Sequence, residues 1–294
     1  MRKTAAFLVP SSSEWFTKVP WKVDQFQFFK QMLEKHGFDL VQAAWTDASM
    51  DWKQYSLILP LQCIDYPLYP DQFKLFLNKV KNFSIRMIND VDIILWNMCK
   101  TYLIDLKNLK LNTPNLILIP KKSPLDLSKI SQFSTSTFVA KPSIGLGALG
   151  TVRFEGHEIA RFENQFKEIL QSSDLIIEPF FPEIAVSGEY SFVFFNSRFS
   201  HAVLKKPMQG DFRAHPLYGA TISPYTPLPE EIEQASQFVA AVKAIKSECH
   251  YARVDLFRKE GKLCLMELEL IEPYLFLEYA PPAAVEAFCA SIIP

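Results

Sequence analysis

The fold is decided by the stretch Arg253-Val-Asp255-Leu-Phe-Arg-Lys-Glu-Gly261-Lys-Leu-Cys-Leu-Met-Glu267-Leu-Glu269, which is typical of two strands joined by a turn at Gly261. Side chains alternate between the faces of a strand, so Arg253 and Asp255 share one face. If a three-residue loop centred on Gly261 closes the hairpin, Asp255 lies directly opposite Glu267. A two-residue loop would shift the register by one and place the acids on opposite faces.

In the first register, three carboxylates and one arginine gather on one face of the hairpin. Like charges at this separation repel one another and shift one another's pKa values unless a cation neutralises them. Carboxylate oxygens are ligands that suit Mg²⁺ or Mn²⁺. The pattern therefore indicates a divalent-metal site at Asp255, Glu267 and Glu269. The alternative is a solvated sheet face with an arginine salt bridge.

A glycine-rich segment lies upstream of this hairpin. The chain has only nine glycines, yet Gly145, Gly147 and Gly150 lie within six residues. They follow a predicted strand that ends at Lys141. Backbone N–H groups in such a loop can bind phosphate oxygens while the lysine neutralises their charge. The spacing matches neither the phosphate-loop nor the dinucleotide-binding motif, so a plain hairpin turn remains the alternative.

Two further segments carry polar groups in suggestive order. In the segment 177–189, the acids Glu178, Glu183 and Glu189 flank the apolar pair Phe180–Phe181. An extended segment of this kind can offer backbone groups to a nucleobase and carboxylates to ribose hydroxyls. The segment 205–213 is a basic loop with a glycine, which suits anion binding but is also typical of a solvated surface.

Composition limits the class of protein. The chain has 294 residues, of which 49% are hydrophobic and 21% charged, which excludes a disordered chain. The net charge of −1 argues against general affinity for nucleic acid or an anionic membrane. Five cysteines without CxxC spacing predict a reduced, cytoplasmic protein without disulfides or a zinc site. No apolar run reaches the ~18–20 residues of a membrane span.

The order of the predicted elements indicates the architecture. Strands and helices alternate over the first ninety residues, which predicts a parallel sheet with ligand-binding loops at 11–13, 45–47 and 63–66. The middle of the chain combines a helix at Met98–Leu106 with strands on both sides of the glycine loop, and the last third is rich in strands. The expected fold class is α/β and α+β.

Taken in order, these pieces resemble the ATP-grasp superfamily. The segments 181–191 and 209–213 are similar to stretches of bacterial glutathione synthetase. The sequences of segments 199–205 and 265–273 are more similar to the subgroup that includes the O-ureidoserine cyclo-ligase of cycloserine biosynthesis. The resemblance implies a pre-ATP-grasp domain at 1–94, a small ATP-grasp subdomain at 95–178 and a large one at 179–294.

The resemblance also implies roles for single residues. Phosphates of ATP would be bound by Lys100 and Lys141 with the glycine loop, adenine by the backbone of Phe180 and Phe181 beside Glu178, and ribose by Glu183 and Glu189. Three residues would act on the reacting groups, namely Lys206, Arg213 and Arg253. The family usually has asparagine where this chain has Glu269, which leaves an oxygen ligand but adds a negative charge.

The function expected from this resemblance is ATP-dependent ligation. A carboxylate would be activated as an acyl phosphate by ATP and Mg²⁺ and then attacked by an amine, with ADP and phosphate released. The partners would be small-molecule carboxylate and amine substrates, with no nucleic acid and no membrane, and a homodimer is left open. An intramolecular cyclo-ligase and a nucleotide-binding module without turnover are the alternatives.

Overall fold

The computed structural model describes residues 2–11 and 22–293 of the chain. Its strands form three sheets, one parallel and two antiparallel, which agrees with the expected α/β and α+β fold class. Ser12 and Ser13, which the sequence assigns to the first ligand-binding loop, lie outside the described residues. Within the described part of the chain, no helix is long and apolar enough to cross a membrane.

The first sheet is parallel, as predicted, with the strand order β2-β1-β3-β4. Its strands and helices are β1 (Lys3–Val9), α1 (Gln25–Glu34), β2 (Phe38–Ala44), β3 (Leu57–Leu59), α2 (Pro70–Asn82) and β4 (Arg86–Met87). Asp65 joins the carboxyl ends of these strands, because it accepts hydrogen bonds from the backbone N–H of Ser11 at 2.8 Å and from the indole of Trp45 at 2.6 Å. The predicted ligand-binding edge is thereby held together.

The second sheet is antiparallel, with the order β5-β8-β6-β7. It contains β5 (Ile117–Ile119), β6 (Thr137–Pro142), β7 (Val152–Glu155) and β8 (Leu175–Pro179), and α5 (Glu163–Ser172) covers one face. Phe166 and Leu170 are the buried residues of that helix, one turn apart. The glycine loop joins β6 to β7, so it is the turn of a hairpin.

The third sheet is antiparallel, with the order β11-β10-β9-β12-β13. It contains β9 (Glu189–Phe195), β10 (Arg198–Lys206), β11 (Thr221–Tyr225), β12 (Tyr251–Lys259) and β13 (Lys262–Glu269). The helix α7 (Pro229–Ile245) packs Phe238 and Val242 on its back face. The helix α6 (Pro182–Ser187) precedes β9, and α8 (Pro282–Ser291) packs where the first and third sheets meet.

The turn between β12 and β13 is the two-residue alternative. Lys259 lies opposite Lys262, so only Glu260 and Gly261 form the loop. Both residues have left-handed backbone conformations, with φ of 50° and 78°. Such a two-residue turn matches the twist of the strands that it joins. The three-residue alternative is therefore excluded.

The predicted pairing of Asp255 with Glu267 is confirmed, because a β-bulge shifts the register by one residue. Leu256 lies opposite Leu265, but the next pair is Asp255 and Glu267. Met266 is thus an extra residue in β13, and it shifts the pairing by one position. The bulge allows a two-residue turn at one end of the hairpin and facing carboxylates at the other.

The helix predicted at Met98–Leu106 begins only at Tyr102, because residues 98–101 form a break between two helices. The structure has α3 (Val91–Asn97) and α4 (Tyr102–Asn108), with Lys100 in the break between them. The side chain of Asn97 donates to the carbonyl of Leu268 at 2.8 Å, and the hydroxyl of Tyr102 accepts from the N–H of Leu268 at 2.9 Å. Because these bonds use the outer edge of β13, the break places Lys100 beside the acids of that strand.

Charged residues occupy the middle of the front face of the third sheet, which is the face turned away from α7. One end of this face packs in the core shared with the first sheet, through Val193 and Phe195. The other end packs Phe257 against Phe181 and Ile184 of the α6 region. Between these apolar patches lie four buried charged residues, namely Glu189, Lys205, Arg253 and Asp255. The apolar patches shield these charges from solvent.

The entry into β9 generates a stability prediction. Gly188 has φ of 86° and ψ of −175°, a conformation that is essentially restricted to glycine. A Cβ atom there would lie 2.7 Å from the Leu204 side chain and from the backbone oxygen of Lys205. Gly188→Ala should lower the free energy of unfolding by about 2–4 kcal/mol through backbone strain and overpacking.

Gly37→Ala is the matched control. Gly37 also has positive φ, at 81°, but nothing lies within 4 Å of its added Cβ. It should cost about 1–2 kcal/mol, the left-handed backbone penalty alone. Urea denaturation of both variants measures the difference, and equal losses would contradict the close contact at Gly188.

Candidate active site

A cavity of about 640 Å³ lies where the three sheets meet. Gln25 and Leu61 line it from the first sheet, Lys141 and Glu178 from the second, and Asp255 from the third. A concave site at such a junction, with apolar walls and a few converging polar groups, is the usual form of a small-molecule site. The cavity therefore defines the candidate active site.

Lys205 and Arg253 form the charged centre of this cavity. The Lys205 ammonium lies 2.5 Å from Glu189 Oε1 and 3.0 Å from Asp255 Oδ2. Arg253 donates from Nε to Asp255 Oδ1 at 3.0 Å and from Nη2 to Asp255 Oδ2 at 3.0 Å, and it also donates to Glu269. Since all of these side chains are largely out of solvent, the pairing offsets the cost of burying their charges.

The acids of the centre differ in pKa because their surroundings differ. Burial raises the pKa of Asp255, but Arg253 and Lys205 outweigh it and hold that pKa below its ordinary value. Burial dominates at Glu189 and Glu269 and raises the pKa of each to about 7 in spite of the cation beside it. Of these three acids, Asp255 therefore ionises most readily, because its neighbours outweigh its burial.

Lys100 connects the metal-site acids to the glycine loop. Its ammonium donates to the carbonyl of Gly145 at 2.7 Å and lies 3.0 Å from Glu267 Oε1. Burial raises the pKa of Glu267, but Lys100 and Lys141 outweigh it, so the pKa of Glu267 is lowered. Lys100, which lies in the break between α3 and α4, therefore contacts both the glycine loop and the predicted metal site.

The hinge beside the second sheet holds another buried ion pair. Lys141 donates to Glu178 Oε1 at 2.6 Å, and the side chain of Glu178 is only 3% exposed. The other oxygen of Glu178, Oε2, is buried without a hydrogen-bond partner among the described residues. The N–H of Phe180 donates to the carbonyl of Thr137 at 3.0 Å, so this donor is already used within the protein.

Arg213 lies in a loop, 207–220, that reaches across the cavity. Its guanidinium donates to both oxygens of Asp211, at 2.9 and 2.6 Å, and its central carbon lies 3.5 Å from the centre of the Tyr218 ring. The Tyr218 hydroxyl in turn donates to the carbonyl of Gly147 at 2.9 Å. The loop after β10 and the glycine loop therefore contact each other over the cavity.

The structure brings most of the predicted site residues to one cavity. Those that line it are Lys100, Lys141, Gly145, Gly147, Glu178, Phe180, Phe181, Glu189, Arg213, Arg253, Asp255, Glu267 and Glu269. Glu183 does not line the cavity. Lys206 does not line it either, because β10 alternates its side chains and turns Lys206 outward, where it is exposed. Lys205 occupies the position that the sequence analysis gave to Lys206.

Two charged lining residues were missed from the sequence, Lys205 and Glu272. The signal for Lys205 is its phase in the strand, because it shares a face with the buried Val203. The signal for Glu272 is an acid directly after the apolar pair Leu270–Ile271, which predicts a buried carboxylate. Both signals are weak without a known register.

The predicted metal ligands face the cavity but are held by cations. Asp255 is bound by Lys205 and Arg253, Glu267 by Lys100, and Glu269 by Arg253. No group of three His, Cys, Asp or Glu side chains in residues 2–11 and 22–293 is arranged to hold a metal ion as it stands. The donor chemistry itself, three carboxylates on one cavity wall, fits Mg²⁺.

Comparison with solved structures defines the class. The chain superposes on a D-alanine–D-alanine ligase from Bacillus anthracis complexed with ATP with a TM-score of 0.70, 16% identity and coverage of 100% of this chain and 96% of that one. It superposes on the ATP-grasp ligase PsnB with a TM-score of 0.65 and 12% identity, over 100% of this chain and 99% of that one. The chain has the ATP-grasp fold, and the resemblance seen in the sequence is confirmed.

The chain is also similar to a protein of cycloserine biosynthesis. Residues 13–89 match the family described as the N-terminal domain of D-cycloserine synthetase DcsG. The cycloserine biosynthesis protein DcsG of Streptomyces lavendulae is 23% identical over 257 residues, which cover 82% of this chain and 84% of that protein. The crystal structure of D-cycloserine synthetase DcsG superposes with a TM-score of 0.85 at 19% identity, over 98% of both chains.

The adjacent lysines of β10 provide a test of the charged centre. Lys205→Met should lower the free energy of unfolding by about 3–5 kcal/mol, because it leaves two buried carboxylates short of a cation. Lys206→Met, one residue along the same strand but exposed, should change it by less than about 0.5 kcal/mol. Chemical denaturation of both variants measures this, and similar values for the two would show that Lys205 is not the buried partner of Glu189 and Asp255.

Proposed function

We propose that the protein is an ATP-dependent ligase that activates a carboxylate as an acyl phosphate and transfers the acyl group to an amine. The observation that carries this proposal is the single cavity in which Lys100, Lys141, Lys205 and Arg253 face the acids of the third sheet. A reaction between anionic phosphates and a carboxylate needs concentrated positive charge in a water-poor site. The ATP-grasp fold supports the same reading.

The end of the cavity nearest the second sheet is the proposed nucleotide site. Lys100 and Lys141 would bind the phosphates, and the loop carrying Gly145 and Gly147 would cover them. Glu178, with an unpartnered buried oxygen, is available to a polar group of the nucleotide. Phe180 and Phe181 would contact the base, with Phe181 contributing a buried ring at the cavity wall.

Asp255, Glu267 and Glu269 are the residues that would hold Mg²⁺. Bound there, the ion would supply positive charge beside the phosphates. Asp255 and Glu267 have lowered pKa values, so they are ionised and ready to bind a cation at neutral pH. Lys100, Lys205 and Arg253 keep the three carboxylates apart and neutralised in the protein itself.

The proposed reaction has two steps. A carboxylate oxygen of the first substrate attacks the γ-phosphorus of ATP, the bond to the β,γ-bridging oxygen breaks, and ADP leaves. The amine then attacks the acyl carbon, the bond to the phosphate oxygen breaks, and the amide, phosphate and one proton are released. Arg213 and Arg253 would neutralise the phosphoryl charge, while Lys205 takes the part that the sequence gave to Lys206.

The similarity to DcsG favours a second version of this reaction. That relative is described as a D-cycloserine synthetase, and its N-terminal domain family matches residues 13–89 here. In this version the amine and the carboxylate belong to one molecule, and the product is cyclic. The two versions differ in whether one substrate or two are needed for turnover. The domain boundaries at 94 and 178 and the cytoplasmic location remain predictions.

The products distinguish ligation from other uses of ATP. With Mg²⁺ and a panel of amino acids, single and in pairs, turnover should release ADP and phosphate in equal amounts, with the product identified by mass spectrometry. Release of AMP and pyrophosphate would show adenylation and contradict the acyl phosphate. Tight ATP binding without turnover on any member of the panel would favour the binding module.

The contact between the two covering loops generates a kinetic prediction. Tyr218→Phe removes the hydroxyl that binds the Gly147 carbonyl but keeps the ring against Arg213. One net hydrogen bond corresponds to about 0.5–1.5 kcal/mol, so a fluorescent ATP analogue should dissociate about 2- to 10-fold faster. Stopped-flow displacement measures the rate. The control is Tyr69→Phe, which changes an exposed ring outside the cavity lining. Equal dissociation rates in the two variants would show that the bond between Tyr218 and Gly147 does not retain the nucleotide.

A further inference from the structure

His215 lines the cavity but has no part in the proposed reaction. It lies in the loop 207–220, directly before the short 3₁₀ turn Pro216–Tyr218. Its Nδ1 atom accepts a hydrogen bond from the backbone N–H of Leu217 at 3.2 Å, and its carbonyl accepts one from the N–H of Tyr218 at 2.9 Å. The Tyr218 ring packs edge-on against the imidazole, with 6.2 Å between the ring centres. The turn therefore fixes the orientation of the imidazole.

The bond to Leu217 decides which ring nitrogen carries the proton. Because Nδ1 accepts from a backbone N–H, it does not carry a proton itself, and neutral His215 has its proton on Nε2. Nε2 is the ring nitrogen that lies further from the backbone of its own residue. An uncharged His215 is therefore a hydrogen-bond donor through Nε2.

The surroundings of the imidazole keep it uncharged. Burial and the nearby cations Lys205 and Arg253 lower the pKa of His215 to about 4, although the carboxylates Glu267 and Asp255 oppose this shift. These four charged side chains face the imidazole from β10, β12 and β13. A histidine whose pKa is lowered to this extent is neutral at physiological pH. The Nε2–H of His215 thus adds a donor without net charge to a centre that contains cations.

Another buried histidine, His201, serves as a comparison because its role is structural. Burial lowers the pKa of His201 to about 4 as well. Its Nε2 is bonded to the carbonyl of Leu275 and its Nδ1 to the hydroxyl of Ser200, each at 2.9 Å. His201 does not line the cavity, whereas His215 lies near the cations beside which the acyl phosphate would form.

We propose that His215 is a catalytic residue that donates from Nε2 to the carbonyl oxygen of the acyl phosphate while the amine attacks. The inference rests on the proposed ligase function. As the bond from the amine nitrogen to the acyl carbon forms, the π electrons of the carbonyl move onto its oxygen, and the Nε2–H stabilises this oxyanion. The carbonyl then re-forms, the bond to the phosphate oxygen breaks, and the leaving phosphate takes the proton of the amine. His215 stays neutral throughout.

An uncharged donor suits this step better than a further cation. A cation would bind the anionic carboxylate and phosphates strongly before the reaction, and such binding does not accelerate it. A neutral imidazole interacts most strongly with the charge that develops on the carbonyl oxygen during the attack. A general base would need an unprotonated Nε2, which the bond from Leu217 to Nδ1 disfavours.

Two substitutions separate the donor from the turn. In His215→Asn, the side-chain oxygen can replace Nδ1 as the acceptor for the Leu217 N–H, but no donor reaches the position of Nε2. In His215→Gln, the longer side chain carries an amide N–H to that position, and an amide cannot act as a base. The control is His157→Asn, which changes an exposed histidine.

The two chemical steps are measured separately. Members of the amino-acid panel supply the carboxylate, and hydroxylamine is the amine. Isotope exchange in ATP labelled with ¹⁸O at the β,γ-bridge reports acyl-phosphate formation without hydroxylamine, and hydroxamate reports the attack. His215→Asn should lower hydroxamate formation about 10²- to 10³-fold, the usual cost of one oxyanion donor. Its isotope exchange and its KM for ATP should change by less than about 2-fold.

His215→Gln should form hydroxamate within about 10-fold of the wild-type rate, because it restores a donor, and the control should match the wild type. Equal losses in His215→Asn and His215→Gln, or no loss in His215→Asn, would contradict the donor while ADP-forming ligation stands. A parallel loss of both steps would show a structural role. A wild type that forms no acyl phosphate with any panel member contradicts the ligase function and the inference with it.

A measurement on the full chain alone tests the inference without a substrate. In the long-range ¹H–¹⁵N spectrum of the histidine-labelled protein, the His215 signal is assigned by its loss in His215→Gln. It should show a neutral ring with the proton on Nε2 between about pH 6 and 8. A proton on Nδ1, or a titration midpoint above about pH 6, would overturn the inference even if His215→Asn does not fold, and would leave the ligase function untouched.

Discussion

The pairing of Asp255 with Glu267 across β12 and β13 is the constraint on which the site depends. It places Arg253 opposite Glu269 and turns all four side chains to the front face of the third sheet. A register without the bulge at Met266 would turn two of these acids towards the apolar layer beneath α7, away from Lys100 and Arg253. The hydrophobic back face therefore fixes the register as firmly as the charges do. The bulge allows an apolar back face and a charged front face to be combined with a two-residue turn.

Burial strengthens the ion pairs on the front face of the third sheet, and it also raises the free-energy cost of any unpaired charge there. The front face carries them between two apolar patches, so solvent does not screen the attraction between Lys205 and Asp255. In such surroundings each ion pair is stronger than in water, but every charge that lacks a partner is expensive. The cavity is consequently assembled in a paired state, with its cations already close to where phosphates would lie. A charged ligand that enters the cavity would replace one partner of an existing ion pair, so it would not add an unpaired charge to an apolar site.

The sequence predicts the strands better than it predicts how they meet. Alternation and turn residues located the hairpin and its facing acids, and the order of elements predicted the parallel first sheet. The break at Lys100 could not be predicted, because the pattern of Met98–Leu106 is compatible with one helix. Asn97 at the end of α3 and Tyr102 at the start of α4 flank the break, and both bind β13, which is 166 or more positions away in the chain. Local periodicity carries no information about such distant partners.

The choice between Lys205 and Lys206 shows the same limit at the level of one residue. Both lysines suit an anion-binding loop by composition, and the resemblance to the ATP-grasp superfamily implies Lys206, which the strand turns outward. The decision is made by the pairing of Lys205 with Glu189 across β9 and β10, which puts Lys205 on the front face. The resemblance predicts a lysine at this place in the cavity, and the register of the strands determines that it is Lys205.

Glu269 is the position at which the site departs from the ATP-grasp sequence pattern that it resembles. Where the ATP-grasp pattern has asparagine, this chain has an acid, which adds a negative charge beside Asp255 and Glu267. Arg253 lies directly opposite and binds Glu269 as well as Asp255, so one guanidinium compensates two carboxylates. Burial still raises the pKa of Glu269 to about 7, which means that the compensation is partial.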